Sequence, residues 1–183
     1  LATLVAGANA ALTAENPGLD QVLVAMGWDT IPSHGPQAEL VPFAIMCDSD
    51  GKAVSNDHLV FFNQLVSADT SVTFVGSADQ EQIDVDLSRI PADISKIIFL
   101  AYVDPEFRGQ GTFGAVRNAH IRVATAENRE LVRFDLAVTQ LDSVTAMIFG
   151  ELYRHRDDWK FRALGQGYNT GLAGVAKDYG ISL

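Results

Sequence analysis

A single cysteine, Cys47, leaves no partner for an internal disulfide and excludes any cysteine-rich zinc site. Basic residues are scarce as well. The 13 Lys and Arg stand against 23 Asp and Glu, giving a formal net charge of -10 and a pI near 4.6. Phosphate backbones are held by clustered Lys and Arg that release counterions, so this balance argues against a nucleic-acid partner and favours cations or basic surfaces. No apolar run reaches the roughly 20 residues that span a bilayer, so membrane insertion is not expected. Residues 1–6 faintly resemble a signal-peptide core but lack its basic flank, and the default expectation is a soluble cytoplasmic protein.

Catalytic words are missing too. There is no Gly-x-Ser-x-Gly elbow, phosphate loop or His-Glu-x-x-His pair, and His34, His58, His120 and His155 are scattered. Cys47 and His58 could meet across a hairpin to imitate a thiol dyad, but no third residue orients them. The chain is therefore not expected to be an enzyme, and Cys47 reads as a small buried hydrophobe.

What is present is a hydrophobic content of 48%, enough for a substantial core, with no repeat or low-complexity linker across residues 1–183. A single domain follows. Strand-like runs at 21–28, 40–47, 59–64, 71–75, 82–87, 96–103, 116–125, 130–138, 146–153 and 159–164 are separated by turn signals, which predicts an all-β, two-sheet sandwich of about ten strands. The continuous apolar run 97–103 reads as a central strand buried on both faces. Pro42 inside a strand points to a bulge or irregular entry over residues 39–43, and Pro91 to Ile94 to one helical turn.

The C-terminal stretch is the richest in pattern. Leu152 and Tyr153 end one strand, Arg-His-Arg-Asp-Asp makes a charged turn, and Trp159, Phe161 and Ala163 share one face of the next strand, with Lys160 and Arg162 on the other. Beyond Gly165-Gln-Gly167, spacings of three and four among Leu172, Val175, Ala176 and Tyr179 predict a short C-terminal helix against the sheet.

Together with Gly27-Trp28-Asp29 and Phe113-Gly-Ala-Val-Arg-Asn118-Ala-His-Ile-Arg122, the C-terminal words from Gly150 to Gly174 resemble the TerD-type tellurium-resistance and stress proteins of bacteria. The resemblance runs from about Leu4 to Tyr179. It implies a calcium-binding β-sandwich without known enzymatic activity, with other stress-response or tellurium-resistance proteins as partners.

Calcium takes six to eight oxygens, mostly carboxylate. The family supplies them through an Asp-Leu-Asp word in an early strand and a Gly-Asp-Asp-Glu word before a later one. Here the first reads Glu39-Leu40-Val41 and the second Ala78-Asp79-Gln80-Glu81, so two formal negative charges are lost. The resemblance thus implies a degenerate calcium site with Glu39, Asn63, Asp79 and Glu81 as ligands, Asn63 matching the family word Phe61-Phe62-Asn63-Gln64. Against it stands the plain reading of these acids as solvated loop ends. Asp48-Ser-Asp-Gly51 imitates the start of a calcium loop but lacks its closing Glu, and reads as a hairpin turn. Arg117, Asn118 and Arg122 form a polar set on one strand, Arg122 sharing a face with His120, and read as pairing with acids such as Asp135 or Glu151, the alternative being a small-anion or partner-binding patch. The first rival function is a carbohydrate- or small-molecule-binding sandwich that uses its end loops, and the second an enzyme of unrecognised type.

Overall fold

The computed structural model describes residues 2–30, 39–76, 81–105, 111–137 and 141–182. Two six-stranded sheets pack face to face. Across the first run β1 (Ala2–Leu4), β10 (Glu130–Asp135), β9 (Val116–Thr125), β3 (Gln21–Thr30), β7 (Glu81–Asp86) and β6 (Val72–Phe74). Across the second run β2 (Asn9–Ala11), β12 (Asp158–Tyr168), β11 (Ala146–His155), β8 (Lys96–Val103), β4 (Leu40–Cys47) and β5 (Leu59–Val60). Helix α1 (Gly171–Tyr179) follows β12. β1 and β2 add to the ten expected strands. At three residues each they are too short for alternation to show in sequence, and each pairs at a sheet edge.

Alternation decides what is buried. Val22, Val24 and Met26 of β3, Ile97, Phe99 and Ala101 of β8, and Trp159, Phe161 and Ala163 of β12 meet between the sheets. The opposite side chains of β8 and β4, including Ile98, Leu100, Val41, Phe43 and Ile45, form a second apolar layer beneath Val175 and Leu172 of α1. β8 is therefore buried on both faces, as its unbroken apolar run predicts. The outer face of the first sheet differs, offering only a small apolar patch of Leu23, Ala25 and Ala124.

Two local expectations are corrected. The register of β4 with β8 is unbroken from Leu40↔Val103 to Cys47↔Lys96, so Pro42 sits at no bulge. On its other side β4 pairs with β5 only at Ala44 and Ile45, which makes Pro42 part of an edge segment where a missing N–H is tolerated. The strand expected at 59–64 ends at Val60. Phe61 and Gln64 exchange main-chain hydrogen bonds of 3.0 Å in both directions, so Phe62 and Asn63 form a tight turn. Phe61 stacks on Phe43 at 4.8 Å and anchors that turn.

The C-terminal words hold this scaffold together. His155 pairs with Asp158 across a two-residue turn in which Arg156 takes φ 59°. A Cβ on Gly150 would lie 2.4 Å from Cζ of Phe161, so only glycine leaves room for that core ring. Glu151, 5% exposed, lies between Lys96 at 3.7 Å and Arg162 at 3.3 Å. Arg154 stacks over the Trp159 ring and donates to the carbonyls of Ile90, Pro91 and Ile94 at 2.8 to 3.0 Å. The 91–94 segment is a turn closed by Ile94 N–H on Pro91 O, while the helical turn falls just before it, at Leu87–Arg89.

Candidate metal and ligand sites

Glu39 precedes β4, and its carbonyl accepts from Asp104 N–H at 2.8 Å. Glu81 opens β7 opposite Met26 of β3. Burial, and then the charge of Glu39, raise the Glu81 carboxyl above the ordinary glutamate value. Of the four predicted ligands, Glu81 thus feels the charge of Glu39. Asp79 lies outside the described residues. Asn63 is exposed on the tight turn after β5. Val41, where the family word carries its second Asp, is buried in the apolar layer under α1. Among the described residues no group of three or more His, Cys, Asp or Glu is placed to hold a metal. Two carboxylates fit a calcium ion only if water and main-chain oxygens fill most of its shell.

Other sequence candidates resolve simply. Asp48 Oδ1 accepts from the N–H groups of Asp50 and Lys52 at 2.9 and 3.1 Å, and Gly51 takes φ 76°, so the acid builds a turn. Burial, then the charges of Asp48 and Glu151, push the Cys47 thiol up to about 12 despite opposition from Lys96. A thiol so reluctant to ionise is a poor nucleophile. His58 Nδ1 meets Ser55 Oγ at 2.7 Å instead.

A second constellation lies at the end of the first sheet where β3 stops and β9 starts. Trp28, Asp29, Arg117, Asn118, His120 and Asp135 are among the residues lining a cavity of about 430 Å³. Pairing of β3 with β9 sets Gly27 against His120 and Asp29 against Arg117, with a register shift between the two pairs. Asn118 takes φ 56° inside β9, and its Nδ2 donates to Asp29 Oδ2 at 2.8 Å. Arg117 Nη1 donates to the carbonyls of Gly114 and Val116 at 2.8 and 2.7 Å. Of the acids expected to pair with this strand, Asp135 lies directly opposite His120, and Glu151 belongs to the other sheet. Asp135 is held by Arg133 at 3.0 Å and Glu151 by Lys96 and Arg162, while Arg122 donates to Asn128. Both words, Gly27-Trp28-Asp29 and Arg117-Asn118-Ala119-His120, are visible in the sequence. Only strand register joins them.

Comparison with known proteins agrees with this architecture. The TerD domain family matches residues 1–179, and the chain belongs to that family. It is 42% identical to general stress protein 16U of Bacillus subtilis (strain 168), covering 99% of this chain and 98% of that protein. It is 38% identical to the tellurium resistance protein TerD of Serratia marcescens, covering 98% and 97%. The fold is shared with the crystal structure of a telluride resistance protein (TerD) homologue from Streptomyces coelicolor A3(2), with TM-score 0.66, 24% identity and coverage of 87% and 96%. These names describe resistance and stress proteins, and none is the name of an enzyme.

Proposed function

We propose that this chain is a non-enzymatic, cytoplasmic interaction module of bacterial stress response or tellurium resistance, carrying a weak calcium site at the Glu39–Glu81 end of the sandwich. What supports the calcium reading is the half-buried Glu81 carboxyl at the start of β7, raised first by burial and then by the charge of Glu39. Like charges brought together in a partly buried place are relieved by a cation. A calcium ion there would tie the entry of β4 to the entry of β7 and order a surface for a partner, since a ligand favouring one arrangement shifts the population toward it. The net charge of -10 suits partners with basic surfaces, and other stress-response or tellurium-resistance proteins are the proposed ones.

Thermal melting of the metal-stripped protein with and without millimolar calcium tests the site. Occupancy at 100 times the dissociation constant adds about 2.7 kcal/mol, which raises the melting temperature by several degrees. Glu39→Ala and Glu81→Ala should each abolish the rise. An unchanged melting temperature, or a rise that survives both substitutions, counts against the site.

A further inference from the structure

We propose that the cavity between Asp29 and Arg117 at the end of the first sheet binds a free α-amino acid, its carboxylate on Arg117 and its ammonium on Asp29. This site shares no residue with the Glu39–Glu81 pair and lies where β3 and β10 end and β9 begins.

The inference starts from an ion pair that the fold sets up and does not make. Asp29 and Arg117 are directly opposed on antiparallel strands. Opposite charges so placed ordinarily pair. Here each is held by something else: Arg117 Nη1 by the carbonyls of Gly114 and Val116, and Asp29 Oδ2 by the amide of Asn118. Among the described residues no carboxylate pairs with Arg117, although its side chain is half-buried. Its Nε and Nη2 edge is therefore left for an external acceptor, and a guanidinium fork matches a carboxylate in two parallel hydrogen bonds.

The local backbone is shaped to keep the two apart. Asn118 adopts a left-handed φ of 56° in the interior of β9, and the register with β3 shifts beside it. Such a conformation is strained for a non-glycine residue, and bulges commonly re-aim side chains next to binding sites. A simple cross-strand salt bridge would need neither the strain nor the amide between them.

Charge selects the ligand class. The neighbouring Arg133 is closed onto Asp135 and Glu130. What remains available is one positive edge on Arg117 and the second oxygen of Asp29. That combination calls for a zwitterion with its two charges on adjacent groups and disfavours phosphates or polyanions, which Asp29 and Asp135 would repel. Trp28 and Leu136 supply apolar wall for a side chain, and the cavity of about 430 Å³ is of ordinary size for a small-molecule site.

Isothermal titration of the whole protein with each of the twenty standard L-amino acids is the test, followed by the des-amino acid and the decarboxylated amine matching the tightest binder. At least one amino acid should bind, and both truncated analogues should bind more than about tenfold more weakly, a difference of one decade in Kd. Arg117→Lys keeps the charge but loses the fork, and Asp29→Asn keeps the shape but loses the charge. Each should weaken binding by about tenfold or more, while Arg129→Gln, at an exposed site on the β9–β10 turn, leaves it unchanged. Melting curves for each variant establish that it is folded. The proposal is overturned if no amino acid binds at millimolar concentration, if the des-amino acid binds as tightly as the amino acid, or if folded Arg117→Lys and Asp29→Asn retain full affinity.

Discussion

His120 on β9 occupies the space that a side chain on Gly27 of β3 would take. A Cβ built there would lie 2.4 Å from Cε1 and 2.8 Å from Nε2 of the imidazole. The two residues are direct cross-strand partners, and the ring's Nδ1 lies 3.0 Å from the carbonyl oxygen of Asn118. The absence of one side chain thus positions another at the edge of the Asp29–Arg117 cavity.

Gly27→Ala is expected to displace the imidazole and destabilise the protein by about 1–3 kcal/mol, the usual range for overpacking. The double variant Gly27→Ala, His120→Ala should recover most of that loss, because the clash is with the ring and not with backbone. Urea unfolding of the four members of the cycle measures it. Additive losses would contradict the contact.

The Glu81 carboxyl should titrate above the ordinary glutamate range, read from its side-chain carbon shift. Its folded state binds the proton more tightly than the unfolded chain, so stability falls as pH rises from the unfolded value through the raised one. Glu39→Gln should bring the Glu81 titration down by removing a like charge, and calcium should do the same if it binds between them. Burial contributes first, so part of the elevation should persist in Glu39→Gln.

Arg154→Ala should cost about 2 kcal/mol, because it removes a charged donor from three main-chain carbonyls and the cation from the Trp159 ring. Arg154→Lys should recover only part, since an ammonium lacks the planar fork that reaches Ile90, Pro91 and Ile94 together. Faster amide exchange at Ile94, whose N–H closes the 91–94 turn, would accompany the loss.

Cys47 should resist thiol-modifying reagents at neutral pH in the folded protein and react at once on unfolding. Its thiol is fully buried and ionises only near 12. Reaction at a rate independent of denaturant would show that the strand β4 opens locally.

Much of the scaffold is legible in one-dimensional pattern. The unbroken run 97–103 can only be satisfied by burial on both faces, and β8 is central as a result. Trp159, Phe161 and Ala163 alternate with charged residues and point into the core. The edges were harder to read. β1 and β2 are three residues long, too short to express a period, and the tight turn at Phe62 and Asn63 follows an apolar pair that looks like continuing strand.

The candidate sites divide along the same line. Sequence by itself determined the two-sheet scaffold and the loss of carboxylates at Val41 and Gln80, because side-chain alternation and residue identity are local properties. Tertiary structure alone decided which distant residues meet: Gly27 with His120, and Asp29 opposite Arg117 yet bonded to Asn118. Register belongs to a pair of strands and not to either one. A shift of one position beside Asn118 re-aims the side chains around it, and no reading of a single strand contains that shift.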